Sequence, residues 1–293
     1  MVEGRLAPRP AGPTQLYAVL GHPVNHSLSP SMQNAAFRAV GIGAAYVALD
    51  VPPERLAEVL SELHAAGFSG LNLTAPHKEA AWALVQSTTD EAKRSGALNT
   101  LRRGESGWAG HATDGPGFAA WIAALGVALR GARVLLLGAG GAARSIAPVL
   151  ASSEPAAIRV VSRDGGRARA VADEIRQGGG GRHAMEVTAA ALTESKERGR
   201  GWDLLVRALS STAVEAAEAP WWEQLDPSGL VLDLNYGPRA VATREKAAAG
   251  KHRFEDGLGM LLHQGALSFE YWTGKPAPLD AMRAALLADA GSR

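Results

Sequence analysis

The chain contains no cysteine, no strong excess of either charge and no long apolar run. Each lack excludes a class of function. Without thiols there is no disulfide, no thiolate nucleophile and no cysteine-ligated metal. The absence of cysteine also fits a reducing compartment, and a cytoplasmic protein is expected. A formal net charge of +1 over 293 residues sets up no field that would select nucleic acid or an anionic membrane. No stretch approaches the roughly 20 consecutive apolar residues that crossing a bilayer requires. Residues 1–13 hold two arginines and three prolines but no apolar segment of the kind a signal peptide needs, and a disordered leader is expected there. No internal repeat is visible. What remains is a chain of 46% hydrophobic and 20% charged residues, long enough to build two cores.

One stretch organises the rest. Residues 133–137, Arg-Val-Leu-Leu-Leu, read as a buried strand, and Gly138-Ala139-Gly140-Gly141-Ala142-Ala143 follows at once before a helical run to 150. Strand, glycine turn and helix are the context in which a G-x-G-x-x-G/A pattern carries chemistry. Gly138 permits the tight turn, Gly140 lets the backbone approach a pyrophosphate, and Ala143 lets helix and strand pack closely. The free N–H groups at the helix start then hold the phosphates, with Ala139, Gly141 and Ala142 completing the loop. A plain small-residue turn packing a helix on a sheet is the alternative.

Before this unit, strands are expected at 15–20, 46–50 and 70–73, with helices at 29–40, 54–66 and from about 79. Ser29 reads as the N-cap of the first helix and Pro30 as its first residue. Alternating strands and helices predict a largely parallel sheet. Ligands of such sheets lie beyond the carboxyl ends of the strands. That rule puts two loops on one rim, one carrying Ser27 and Ser29, the other Asn72, Thr74 and Lys78. Hydroxyls, an amide and one ammonium suit a small polyhydroxylated acid. Capping accounts for the serines equally well, but a cation at a helix start opposes the helix dipole, so Lys78 points to another purpose. A short helix at 90–94, a hairpin turned at 104–107 and a helix from Thr113-Asp114 follow, with Asp114 readable as an ordinary cap.

Beyond the glycine turn a second strand at 158–161 ends in Ser162-Arg163-Asp164-Gly165-Gly166-Arg167. An acid here would hold the ribose hydroxyls of NAD, whereas cations accept the 2′-phosphate of NADP. Arg163 and Arg167 favour NADP, and Asp164 argues for NAD. Residues 178–181 read as a flexible loop and 194–200 as a solvated charge run. Strands at 203–208 and 230–233 and helices at 240–248, 256–272 and 279–289 complete the chain.

Taken together, Ser27-Leu28-Ser29-Pro30, the stretch from Asn72 through Pro76-His77-Lys78, Gly96-Ala97-Leu98-Asn99-Thr100, Thr113-Asp114-Gly115, the glycine loop, Ser162-Arg163 and the stretch from Gly257-Leu258-Gly259 to Gly265-Ala266 resemble shikimate dehydrogenases. The resemblance runs over residues 17–274. It implies a two-domain α/β fold, with an N-terminal α/β substrate domain and an inserted Rossmann-like NADP-binding domain. The expected divisions are 1–113, 114–255 and 256–293, the last returning to the substrate domain. It implies that Lys78 and Asp114 form the catalytic pair. Ser27, Ser29, Thr74, Asn99 and Gln264 would bind the hydroxyls and carboxylate of shikimate, with Asn72 and Tyr236 nearby and Gly257 on the cofactor side. The implied reaction is the reversible reduction of 3-dehydroshikimate by NADPH, with no metal, by a monomer or homodimer.

The chain departs from the family pattern at several points. Arg207-Ala208-Leu209 replaces a usual Asn-Ala-Thr beside the nicotinamide, and Ala112 replaces an Asn. Gln33 stands for a His, Asp164 for a Thr or Ser, and a Thr expected just after Pro238 falls at Thr243. A quinate or aminoshikimate dehydrogenase, or a ligand-binding paralogue without activity, are the competing expectations.

Overall fold

The computed structural model describes residues 14–178, 185–194, 201–209 and 211–292. The expected leader at 1–13, most of the loop at 178–181 and the charge run after Glu194 lie outside them. The first half lays down β1 (Gln15–Gly21), α1 (Ser29–Ala39), β2 (Ala44–Asp50), α2 (Leu56–Ala65), β3 (Gly70–Leu73), α3 (His77–Ala80), β4 (Ser87–Thr88), α4 (Asp90–Ser95), β5 (Thr100–Arg103) and β6 (Trp108–His111). Then come α5 (Asp114–Ala124), β7 (Arg133–Leu137), α6 (Gly141–Ser152), β8 (Ala157–Ser162), α7 (Gly165–Gly178), β9 (Glu186–Ala191) and β10 (Trp202–Arg207). The chain closes with α8 (Ala219–Trp222), β11 (Leu225–Asp233), α9 (Val241–Ala249), β12 (Arg253–Asp256), α10 (Leu258–Thr273) and α11 (Leu279–Ser292).

Two six-stranded sheets result. The first has the order β2-β1-β3-β5-β6-β4, with β2, β1 and β3 parallel and the β5–β6 hairpin joined antiparallel to β3 through β5. The second has the order β12-β11-β10-β7-β8-β9 and is parallel throughout. Strand periodicity sorts each sheet's side chains onto two faces. Val134 and Leu136 of β7 meet Ile146 and Leu150 of α6, while Leu135 and Leu137 pack in a separate core with Trp221 and Trp222. In the first sheet Tyr17 and Val19 face a core that includes Phe269 of α10 and Met282 of α11, and Ala18 and Leu20 face Leu56 and Leu60 of α2. The C-terminal helices therefore return to the first sheet.

Both sheets have a point where the chain order reverses. In the first, β1 is followed by β2 on one side and β3 on the other. In the second, β7 is followed outward by β8 and β9, and the chain then crosses to β10 on the opposite side. The carboxyl ends beside such a reversal form a crevice. Helix α5 connects the two units. Gly117 is a point of close approach, since a Cβ there would lie 2.6 Å from the backbone nitrogen and Cβ of Gln264 on α10.

Some expectations need correction. Leu28, not Ser29, caps α1, and no side chain makes the capping bond. Instead the Ser29 N–H donates to Ser27 Oγ at 3.2 Å, which frees the Ser29 hydroxyl from the helix start. The helix expected from 79 begins at His77 and gives way to a 3-10 turn at Ala81–Leu84. Strands β9 and β12 carry no clear pattern in the sequence. Each is an edge strand, and β12 is only four residues long. Among the described residues no helix is long and apolar enough to cross a membrane.

Candidate active site

A cleft of about 780 Å³ opens between the two sheets, at the carboxyl ends of β1 and β3 on one side and of β7, β8 and β10 on the other. Every residue expected to bind substrate or cofactor lines it: Ser27, Ser29, Asn72, Thr74, Lys78, Asn99, Asp114, Tyr236 and Gln264, together with Gly138–Ala142, Ser162, Arg163, Arg167 and Gly257.

At its centre Lys78 Nζ lies 2.6 Å from Asp114 Oδ2. Lys78 comes from α3 just beyond β3, and Asp114 is the first residue of α5, where the helix dipole favours a carboxylate. The Lys78 side chain keeps 20% of its exposure and that of Asp114 9%, so the pair faces the cleft without being sealed. The other carboxylate oxygen of Asp114 accepts from Asn99 Nδ2 at 2.8 Å, leaving the ammonium on one side and the amide on the other. Asp114 is therefore more than a cap, because Thr113 occupies the cap position and makes no side-chain capping bond.

Asn99 ties the site together. Its Nδ2 is shared among Asp114 Oδ1, Thr113 Oγ1 at 2.8 Å and Gln264 Oε1 at 3.2 Å, and its Oδ1 accepts from the Thr113 N–H at 2.7 Å. Asn72 is committed to the protein. It donates to the Asn99 carbonyl, Thr100 Oγ1 and Ser268 Oγ, and it accepts from the Tyr46 hydroxyl at 2.7 Å. Burial pushes the Tyr46 phenol well above its usual range, so it remains a donor. Tyr46, Thr100, Thr113 and Ser268 form a hydroxyl layer beneath the site that sequence reading missed. Ser268 sits four residues after Gln264, a spacing that puts both on one helix face. No signal of that kind marks Tyr46, whose contact depends on strand pairing.

On the other wall, Gly138 has φ of +125°, and a Cβ there would come within 2.5 Å of the Ala208 carbonyl oxygen. Gly140 and Gly141 face open space. The start of the 12-residue helix α6 has no side-chain cap, so its first N–H groups are left for an anion. Beyond β8, Asp164 Oδ1 accepts from the Gly166 and Arg167 backbone N–H groups at 2.8 and 3.2 Å. Through this oxygen Asp164 closes the first turn of α7. Arg163, Asp164 and Arg167 all line the cleft. An open glycine cradle, an uncapped helix start and two guanidiniums fit a dinucleotide whose ribose carries a phosphate.

The departures also find their places. Arg207 does not enter the cleft. It is fully buried, while Ala208 and Leu209 after it line the wall. Thr243 Oγ1 donates to Asp233, and buried Gln33 donates to the Gly265 carbonyl at 2.8 Å. Ala112 is buried with Leu98 and Leu101. Among the described residues no group of His, Asp and Glu is arranged to hold a metal ion.

The sequence matches three families: "Shikimate dehydrogenase substrate binding domain" over residues 19–101, "Shikimate / quinate 5-dehydrogenase" over 122–250 and "Shikimate 5'-dehydrogenase C-terminal domain" over 257–287. A shikimate dehydrogenase (NADP(+)) of Anaeromyxobacter dehalogenans strain 2CP-C is 43% identical over 288 residues, covering 96% of this chain and 99% of the relative. The crystal structure of shikimate 5-dehydrogenase from Thermus thermophilus, in complex with NADP(H) and shikimate, superposes with a TM-score of 0.81 at 36% identity, covering 94% of this chain and 99% of that one. A shikimate dehydrogenase crystallised with NADP+ gives a TM-score of 0.83 at 32% identity over 94% and 96% of the two chains.

Proposed function

The chain belongs to the shikimate dehydrogenase family, and from that premise we propose that it is an NADP-dependent shikimate dehydrogenase, reducing the 3-keto group of 3-dehydroshikimate to shikimate and catalysing the reverse. The observation that carries this reading is the Lys78–Asp114 pair, 2.6 Å apart on the wall of a cleft whose other wall is a glycine loop leading into an uncapped helix.

When bound, NADPH supplies the hydride, and the protein supplies position, charge and a proton. As the carbonyl carbon is reduced, negative charge grows on its oxygen. The Lys78 ammonium stabilises that charge and donates a proton to the oxygen. Asp114 holds the ammonium in place and belongs to the same proton path, since it already shares a hydrogen-bonded proton with Lys78. Helix α5 and Asn99 fix the carboxylate from behind. Ser27, Ser29, Thr74, Asn99 and Gln264 surround the substrate's hydroxyls and carboxylate, with Tyr236 nearby. Asn72, its amide spent on protein partners, holds that set in register. Gly138–Ala142 and the α6 N-terminus take the pyrophosphate. Ser162, Arg163 and Arg167 take the 2′-phosphate, and Gly257 flanks the nicotinamide half.

We take residues 1–113 with 256–293 as the substrate domain and 114–255 as the nucleotide domain. A cytoplasmic protein acting as a monomer or homodimer completes the reading. Initial rates with shikimate and with quinate, each with NADP and NAD, test it. The expected result is highest kcat/KM with shikimate and NADP. Preference for quinate or NAD would replace the reading with the neighbouring activity.

A further inference from the structure

The buried Arg207 marks a feature that the reaction as described does not use. Arg207 ends β10, the strand next to β7, with no exposed side-chain surface. A guanidinium has five N–H donors and is costly to bury unless all of them are engaged. Here five contacts engage them. Nε and Nη2 grip Glu218 at 3.0 and 3.1 Å as a two-point fork, and Nη1 reaches Asp233 at 3.5 Å. The remaining two go to backbone carbonyls of the segment just after β10: Nη1 to Ser211 at 2.9 Å and Nη2 to Ala213 at 2.8 Å.

The residues that lead into it form a wall of the cleft. Ala208 and Leu209 line it, and the Ala208 carbonyl packs against Gly138 so closely that a Cβ there would not fit. The same cluster reaches a second part of the wall. Asp233 Oδ1 accepts from Asn235 Nδ2 at 2.9 Å, and that amide also donates to the Leu209 carbonyl at 2.9 Å. The Asn235 carbonyl accepts from the Gly257 N–H at 2.9 Å. The strand order says which half of the dinucleotide lies here. The 2′-phosphate arginines follow β8 and the pyrophosphate loop follows β7, so the nicotinamide half extends over the next strand, β10.

We propose that Arg207 is a positioning residue for the nicotinamide half of the cofactor: through Glu218, Asp233 and two carbonyls of its own loop it sets the Ala208–Leu209 wall against which the ring rests. This rests on the NADP-dependent reading above and adds a residue to it. Arg207 touches neither cofactor nor substrate. It acts by fixing where the backbone of the following turn runs.

The test uses the full chain with Arg207→Lys, which keeps the charge but lacks the fork and two of the donors, and Glu218→Gln, which keeps the volume and an acceptor. Binding of NADPH is followed by its fluorescence, and binding of adenosine 2′,5′-bisphosphate, which occupies only the adenine side, by calorimetry. The expected result is NADPH affinity weakened about tenfold or more in Arg207→Lys and less in Glu218→Gln. Affinity for the bisphosphate and KM for shikimate should stay within about twofold of the parent. Equal weakening of both ligands would mean general loosening and would overturn the proposal, as would unchanged NADPH affinity in both variants. A parent protein that binds no NADPH would overturn the underlying activity instead, and this proposal with it.

Discussion

Two ionic groups, one pair and one triad, sit beside the carboxyl ends of central strands, one at each sheet, and their surroundings assign them different work. Lys78–Asp114 lies beyond β3 and opens onto the cleft, with 20% and 9% of the two side chains exposed. Arg207–Glu218–Asp233 lies at the end of β10 with none. The first keeps an ammonium within reach of a ligand. The second has every donor occupied and offers nothing to a substrate, so its charge serves to hold backbone. Position at a reversal of strand order thus places a charged group near the chemistry, and access to solvent decides whether it can take part.

The comparison can be broken first at the open pair. Asp114→Asn keeps the contact with Asn99 but removes the charge beside Lys78. Turnover is expected to fall by about 10²–10⁴-fold, the usual worth of positioned proton transfer. Steady-state rates check this, with little change expected in the melting temperature because Asn keeps the volume and the bond from Asn99. At the sealed triad the balance reverses. Arg207→Met leaves two buried carboxylates without their cation, a loss of about 3–5 kcal/mol of stability measurable by denaturant unfolding. Burial already pushes the Asp233 carboxyl upward, against the hydrogen bonds from Thr243 and Asn235 and the charge of Arg207, which is the direction this penalty requires.

A smaller effect is expected at the adenine end. Arg163→Gln should raise KM for NADPH about tenfold while leaving that for NADH nearly unchanged, because only the former offers a 2′-phosphate. Equal loss with both cofactors would remove Arg163 from that role.

The smallest effect is the pH dependence of stability that three histidines around the first sheet contribute. Burial lowers the pKa of His77, His111 and His263 below the ordinary value of 6.5. Between those folded values and 6.5 the unfolded chain binds more protons, so stability is full above about pH 6.5 and is lost as pH falls below it. The melting temperature should drop between about pH 7.5 and about pH 5.5. An increase over that range would contradict the assignment.

How much of this is legible in the sequence differs between the two regions for physical reasons. The open site is readable because its residues are held by short-range devices: a glycine turn, a strand end and a helix start. These leave motifs such as Thr74-Ala75-Pro76-His77-Lys78 and Thr113-Asp114-Gly115. The alternation of strands and helices likewise announces a largely parallel α/β fold, while edge strands β9 and β12 and the short α8 lack the periodicity that would mark them. In the sequence the sealed cluster shows only as a departure that puts the cofactor site in doubt, because Arg207, Glu218 and Asp233 share no glycine turn or helix-start motif and only the fold brings them together. Asp164 is ambiguous in the sequence for a different reason: a carboxylate in the expected turn argues for NAD, and in the fold one of its oxygens accepts from the Gly166 and Arg167 backbone. Of the hydroxyl layer beneath the site, Tyr46 is hidden because its contact with Asn72 depends on strand pairing.

The central claim is that the Lys78 ammonium takes part in the chemical step and is not needed for cofactor binding or folding. Single-turnover oxidation of NADPH by 3-dehydroshikimate, measured for the parent and for Lys78→Ala with the cofactor saturating, tests it most directly. The account predicts NADPH affinity within about twofold of the parent and a single-turnover rate lower by about a hundredfold or more. A Lys78→Ala protein that oxidises NADPH at the parent's rate would contradict it.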